Sequence, residues 1–176
     1  MIFYADECSI TMMPNLTHSY APCGKRPVIT TSTEVSIRVY IASAISVKGH
    51  LIWAIQEKPF TAADIIRFLK QIRDAIAQRI MIIWDNASIH NCQEVRQFLT
   101  KDHEQNYYLV QQPKYSPHLN ADEQVWSYLK QRELANNCKR NVKELKPKIH
   151  HSLGKMAQNQ ELICQFFRHP DIGFYN

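Results

Sequence analysis

No apolar run in the 176 residues approaches the roughly 20 needed to cross a bilayer, so a membrane-spanning helix is excluded as an organising element. The first residues, Met1-Ile2-Phe3-Tyr4-Ala5-Asp6, lack a basic stretch and reach acid too early for a signal peptide. A cytoplasmic protein is the expectation. Paired cysteines of the CxxC kind are also missing. The five cysteines (Cys8, Cys23, Cys92, Cys138 and Cys164) are scattered and odd in number, which disfavours a zinc site or disulfide framework and favours reduced thiols. Repeats, low-complexity tracts and linkers are lacking too. A chain of this length is most economically one domain with a real core. Charge is the one mild bias: a formal net charge of +5 and a pI of about 9 suit a polyanionic partner without requiring one.

Periodicity supplies the elements. Ile2 to Ala5 reads as a short buried strand ending at Asp6-Glu7. Residues 9–33 have little period and carry Pro14, Pro22, Gly24 and Pro27, so a loop is expected. Val35, Ile37, Val39, Ile41, Ile45 and Val47 then alternate with Ser36, Arg38, Tyr40 and Ser46, the pattern of a half-buried strand. Lys48-Gly49 turns it into a second strand over residues 50–56. Thr61-Ala62-Ala63-Asp64 has the form of a helix cap, and Ile65, Ile66, Leu69, Ile72 and Ile76 follow at helical spacing. A buried strand at 80–84, a helix over 93–101, a strand at 107–111 and a helix over 121–134 complete the series. Beyond residue 135 the chain turns basic, with helix expected up to Pro147 and again after it, interrupted near Gly154. Three strands followed by helix–strand alternation predict an α/β fold: a mixed sheet with helices on both faces.

The chain is organised around Ile80-Met81-Ile82-Ile83-Trp84-Asp85-Asn86-Ala87-Ser88-Ile89-His90, an apolar strand that ends abruptly in an acid. A carboxylate there is held rigidly and looks out of the sheet edge, although an Asp also simply starts turns. Two more acids match it by position. Asp6 ends the first strand, and Glu123 begins the helix after the fifth. Were the first and fourth strands neighbours, all three would meet at one edge, where their mutual repulsion needs compensation. Hard divalent cations with oxygen ligands, Mg²⁺ or Mn²⁺, provide it. Two such ions about 3.5–4 Å apart can activate an attacking oxygen and stabilise a leaving oxygen at a phosphodiester. Against this, Asn120-Ala121-Asp122-Glu123 also has capping-box spacing, which would turn Glu123 back onto the backbone of Asn120.

The phrases FYADE, IIWDNASIH and QQPKYSPHLNADEQVWSYLK resemble the three signature blocks of the DDE-superfamily transposases, in the mariner-related, six-thirty group of bacterial insertion sequences. Asp6-Glu7 match the first block. Asp85, Asn86, Ala87 and His90 match a second of the form D-N-A-x-x-H. Ser116, Pro117, Leu119, Asn120, Glu123 and Trp126 match a third, S-P-x-L-N-P-x-E-x-x-W. The loop SYAPCGKRPVI resembles a further family segment. The resemblance spans about residues 1–135, with Ala121 in place of the usual Pro and Asp122 in place of the usual apolar residue.

It implies a ribonuclease H-like, five-stranded catalytic domain over 1–135, extended by a basic helical segment over 136–176. It further implies metal-dependent hydrolysis at the ends of a DNA element, strand transfer into target DNA, a homodimer and a bacterial, nucleoid-associated setting. Asp6, Asp85 and Glu123 would be the catalytic metal ligands, with Glu7, Asn86, His90 and Asp122 as accessories. Such transposases begin with a helix-turn-helix region for terminal-repeat recognition, and this chain starts at the first catalytic strand. Lys25, Arg26, Lys114, Lys130, Arg132, Lys139 and Arg140 are the candidates for DNA contact, while Trp84 and Trp126 read as core rather than base-stacking residues. Carboxylates alone do not separate cutting and joining from cutting only, nor from a binding module derived from a transposase.

Overall fold

Three antiparallel strands and two parallel ones, reached through helical crossovers, build a single mixed sheet. The structure is a computed structural model that describes residues 1–12, 20–25, 28, 38–76, 78–102, 107–136, 141–168 and 172. Its strands are β1 (Ile2–Thr11), β2 (Arg38–Ser46), β3 (Leu51–Gln56), β4 (Ile80–Trp84) and β5 (Tyr107–Gln111), in the spatial order β3-β2-β1-β4-β5. The helices are α1 (Ala62–Ala75), α2 (Gln93–Asp102), α3 (Glu123–Tyr128), α4 (Val142–Gln158) and α5 (Gln160–Phe166). A 3₁₀ turn at Pro117–Leu119 precedes α3, and a π-helical turn at Leu129–Glu133 prolongs it.

Alternation along the strands sends side chains to two separate cores. On one face Phe3, Ala5, Ala42, Ala44, Ile80, Ile82 and Trp84 pack under α1 and α2 through Ile65, Leu69, Ile72, Val95 and Leu99. On the other, Tyr4, Ile10, Val39, Ile41 and Ile45 pack under α3, α4 and α5 through Trp126, Leu129, Ile149, Leu153 and Ile163. Helices thus cover both faces, as the element order predicts. Thr61 caps α1 reciprocally with Asp64.

Two expectations change. β1 runs on through Asp6 and Glu7 to Thr11 instead of stopping at Ala5, because β2 pairs with it along its length, from Phe3↔Ser46 to Thr11↔Arg38. Helix α4 passes unbroken through Pro147 and Gly154. Its buried residues Leu145, Ile149, Ser152, Leu153 and Met156 recur at helical spacing against the sheet, and that packing overrides the weak local propensities. Gly154 lies over Trp53 of β3, where an added Cβ would stand 4.0 Å from the indole. The helix breaks instead at Asn159, whose side chain accepts from the Leu162 amide and starts α5. The proposed first residues of the second strand, Val35 and Ile37, lie outside the described residues.

The β2–β3 turn contacts the start of α5. Gly49 has a φ of +84°, and a Cβ there would sit 2.7 Å from Gln160 Cβ. Gly49→Ala combines left-handed strain with overpacking, together about 2–4 kcal/mol. A fall in melting midpoint of roughly 5–15 °C is expected by calorimetry; an unchanged midpoint would show that this contact carries no weight.

Candidate active site

Strand pairing creates the site. β1 and β4 pair in parallel only through Ile2↔Met81, Phe3↔Ile82 and Tyr4↔Ile83. Continuing that register by two positions sets Asp6 opposite Asp85, just past the point where the strands fork apart. Asn120 fills the fork: its Nδ2 donates to the Ala5 carbonyl at 3.1 Å, and its Oδ1 accepts from the Asp122 amide at 3.1 Å. One buried side chain therefore satisfies the β1 carbonyl that lacks a strand neighbour and fixes where α3 begins. Asn120 is thus engaged with β1 and Asp122, α3 carries no side-chain cap bond, and the capping-box geometry for Glu123 is not adopted.

Asp6, Asp85 and Glu123 line one cleft of about 410 Å³, walled on its other side by the loop from Gln112 to Pro117. Asp6 is tightly held. Trp126 Nε1 donates to its Oδ2 at 3.0 Å, and the Glu7 amide to its Oδ1 at 2.9 Å. Its pKa is nevertheless raised to about 7, first by burial and then by the nearby charge of Glu123. The site thus resists the ionisation of Asp6. Trp126 and Glu123, three apart on α3, share a helix face, so the indole reaches Asp6 while belonging to the core at 2% exposure.

Asp85 stands on a different support. Its side chain is 51% exposed; Oδ1 accepts from the Ala87 amide at 3.0 Å and from His90 Nδ1 at 2.8 Å. His90 is buried against the Trp84 ring, centroids 4.0 Å apart, and its Nε2 donates to the two Glu7 oxygens at 3.0 and 3.1 Å. Burial works against its charge, yet the hydrogen bonds to Asp85 and Glu7 outweigh burial and raise its pKa to about 9. Asp85 is correspondingly lowered, chiefly by the His90 hydrogen bond. An imidazolium thus ties β1 to the turn after β4 from the α1–α2 side of the sheet.

The accessory candidates separate by location. Glu7 serves His90 and Trp84 and does not line the cleft. Asn86 does line it, with its Oδ1 accepting from Asn91 Nδ2 at 2.6 Å, while Gln111 Nε2 donates to Asn91 Oδ1. Asp122 is fully buried. Ser43, the cross-strand partner of Asp6, donates to Asp122 Oδ2 at 2.6 Å, and Asp122 Oδ1 has no hydrogen-bond partner among the described residues. Burial first, then the charges of Asp6, Glu123 and Glu7, push its pKa well above the carboxylate range against the Ser43 hydrogen bond. A helix turns about 100° per residue, so adjacent acids at its start diverge and only Glu123 reaches the cleft.

Of the basic candidates, Lys114 lines the cleft. Lys130 lies at the Cys8 thiol near Asp6, Arg132 stacks on Tyr128 at 5.5 Å, and Lys25 is exposed. Arg26, Lys139 and Arg140 lie outside the described residues. The basic tail is partly neutralised: Lys155 pairs with Glu133 at 3.2 Å and Lys146 with Glu57 at 3.5 Å.

Among the described residues, no three His, Cys, Asp or Glu groups converge tightly enough to form a ready-made metal cage. The donors lining the cleft nonetheless suit a hard cation. They are carboxylate oxygens, and the repulsion that raises Asp6 is what a divalent charge relieves.

The sequence matches the family described as DDE superfamily endonuclease over residues 1–146. The chain belongs to that family. A relative of this DDE endonuclease, the insertion element IS630 uncharacterized 39 kDa protein of Shigella sonnei, is 24% identical over 152 residues, which are 85% of this chain and 43% of the relative. The chain thus spans less than half the length of that relative. In fold it is similar to the mariner Mos1 paired end complex with Mg, at a TM-score of 0.73 and 18% identity over 95% of this chain and 51% of that one. The Mos1 complex with Mn gives 0.67 and 14%, covering 99% and 56%. The mixed five-stranded sheet of this DDE endonuclease is therefore the ribonuclease H-like fold of those catalytic domains. No helix of the described residues is long and apolar enough to cross a membrane.

Proposed function

We propose that this chain is the catalytic part of a DNA transposase, hydrolysing phosphodiesters at element ends and transferring the freed 3′-hydroxyl into target DNA. The observation that carries the reading is the pair Asp6 and Glu123, electrostatically opposed across one cleft with Asp85, in a member of the DDE endonuclease family. Asp6, Asp85 and Glu123 are the proposed ligands of Mg²⁺ or Mn²⁺, two ions in all. When bound, the metal supplies activation of the attacking oxygen and stabilisation of the leaving oxygen.

The chain's own residues set the stage for that chemistry. Trp126 and the Glu7 amide hold Asp6 in one orientation, and Asn120 fixes Glu123 by fixing the start of α3. His90 and the Ala87 amide hold Asp85 Oδ1 and keep the carboxylate ionised, with half of its side chain exposed. Lys114 offers an ammonium to a phosphate oxygen, and Asn86 a fixed amide. Double-stranded DNA is the substrate in this proposal and a homodimer the working form, because two element ends are handled together. Terminal-repeat recognition is assigned to a helix-turn-helix part outside these residues. The proposed setting is the bacterial cytoplasm, at the nucleoid.

Nicking of supercoiled plasmid in Mn²⁺ tests the reading. Wild type should nick and Asp85→Asn should not, and joined products with element-end DNA should follow from the wild type alone. Equal nicking by both proteins would remove Asp85 from the site.

A further inference from the structure

Tyr115 is out of place in a soluble domain. The residue is 97% exposed, and its φ of 57° lies in the left-handed region that a bulky residue rarely adopts. The other positive-φ non-glycine among the described residues is Asn136, a type that tolerates that region. A ring with no burial to gain and a backbone penalty to bear is not accounted for by packing, and such outliers cluster at binding sites.

Hydrogen bonds tie down the base of the loop around it. The Gln112 amide donates to the Trp84 carbonyl at 2.8 Å, and Gln112 Nε2 donates to the Leu119 carbonyl at 3.2 Å, closing the loop at its base. Pro113 and Pro117 bracket the turn and restrict it further. The result is an aromatic face presented on the rim of the cleft that holds Asp6, Asp85 and Glu123 and that Lys114 also lines.

We propose that Tyr115 is a stacking platform for an unpaired nucleobase adjacent to the phosphodiester in the acid cleft. The proposal rests on the reading of that cleft as a DNA phosphodiester site. Every base offers a π-face, a paired and stacked base offers none to the solvent, and Lys114 in the same cleft lining suits the phosphate of the same nucleotide. The platform would thus select strand ends or locally unpaired sites over intact duplex. Trp84 and Trp126, buried in the two cores, cannot take this role.

The test uses the full chain in Ca²⁺ with a short duplex ending in a three-nucleotide single-stranded tail, 2-aminopurine being its first unpaired base. Wild type and Tyr115→Phe should quench the fluorescence. Tyr115→Ala should abolish the quench and weaken binding of the tailed duplex roughly 5- to 150-fold, leaving blunt duplex binding within about twofold. Tyr115→Gly, which relieves the left-handed strain, should melt no lower than wild type and still fail to quench. Full quenching by Tyr115→Ala, or none by saturating wild type, overturns the platform. Mn²⁺ cleavage of the same duplex keeps the two ideas apart. Cleavage that depends on Asp85 alongside full quenching by Tyr115→Ala would sink the platform alone, whereas cleavage indifferent to Asp85→Asn would sink the cleft reading beneath it.

Discussion

Glu123→Gln is expected to lower Mn²⁺-dependent nicking by about 10³-fold or more, while Asp122→Asn leaves it within about tenfold of wild type. The two acids are sequence neighbours with opposite surroundings. Glu123 lines the cleft beside Asp6, and its charge helps to raise the Asp6 pKa to about 7. Asp122 is fully buried behind the cleft on Ser43, in an environment that favours its neutral form, and an amide of the same shape preserves the Ser43 contact. Metal binding should divide the variants in the same way. Mn²⁺ should raise the melting midpoint of wild type and Asp122→Asn by mass action, and that of Glu123→Gln far less. The reverse ranking, with Asp122→Asn inactive and Glu123→Gln active, would transfer the third ligand role to Asp122.

His90→Ala should be the most destabilising single change in the site. It removes a buried ring stacked on Trp84 and leaves Glu7, 22% exposed, facing the core without its cation. Removing one partner of a buried pair costs about 3–5 kcal/mol, and the partial exposure of Glu7 places this case near the lower end. A midpoint lower by roughly 6–12 °C follows for a chain of this size.

The pH dependence has a definite sign. His90 is raised from 6.5 to about 9 on folding, so its stabilisation is fully present below pH 6.5 and lost as pH rises through 9. Asp6, raised to about 7, adds a second loss at lower pH, between about 4 and 7, as its carboxyl ionises against Glu123 in the metal-free protein. Melting from pH 6.5 to 9.5 should therefore show a steeper decline in wild type than in His90→Ala, which keeps only the remainder of the Asp6 loss below about pH 8. A wild-type midpoint that stays flat across this interval would mean that the imidazole is not charged in the folded protein.

Much of this architecture is legible in the sequence, because local patterns carry it. The alternation in β2, the capped amphipathic α1, the apolar β4 and the 107–111 strand each report burial of a face within a few residues. The order of those elements predicts a mixed sheet covered by helices, and the three acid-bearing phrases fall within β1, at the end of β4 and at the start of α3.

Other features depend on partners far away in the chain. β1 extends past its polar residues because β2, some forty residues on, supplies the hydrogen bonds, and α4 crosses Pro147 and Gly154 because the sheet beneath it rewards continuity. The divergence of Asp122 from Glu123 is set by the fork between β1 and β4 and by the side chain of Asn120 that fills it. The same holds for the imidazole shared by Glu7 and Asp85, for the indole that steadies Asp6, and for the exposed ring of Tyr115 at the cleft rim. Periodicity tells which side of an element is buried. Which carboxylate is neutral and which faces solvent follows from burial and from groups brought together across 77 to 120 residues of chain, whereas Asp85 takes its hydrogen bonds from Ala87 and His90 within its own turn.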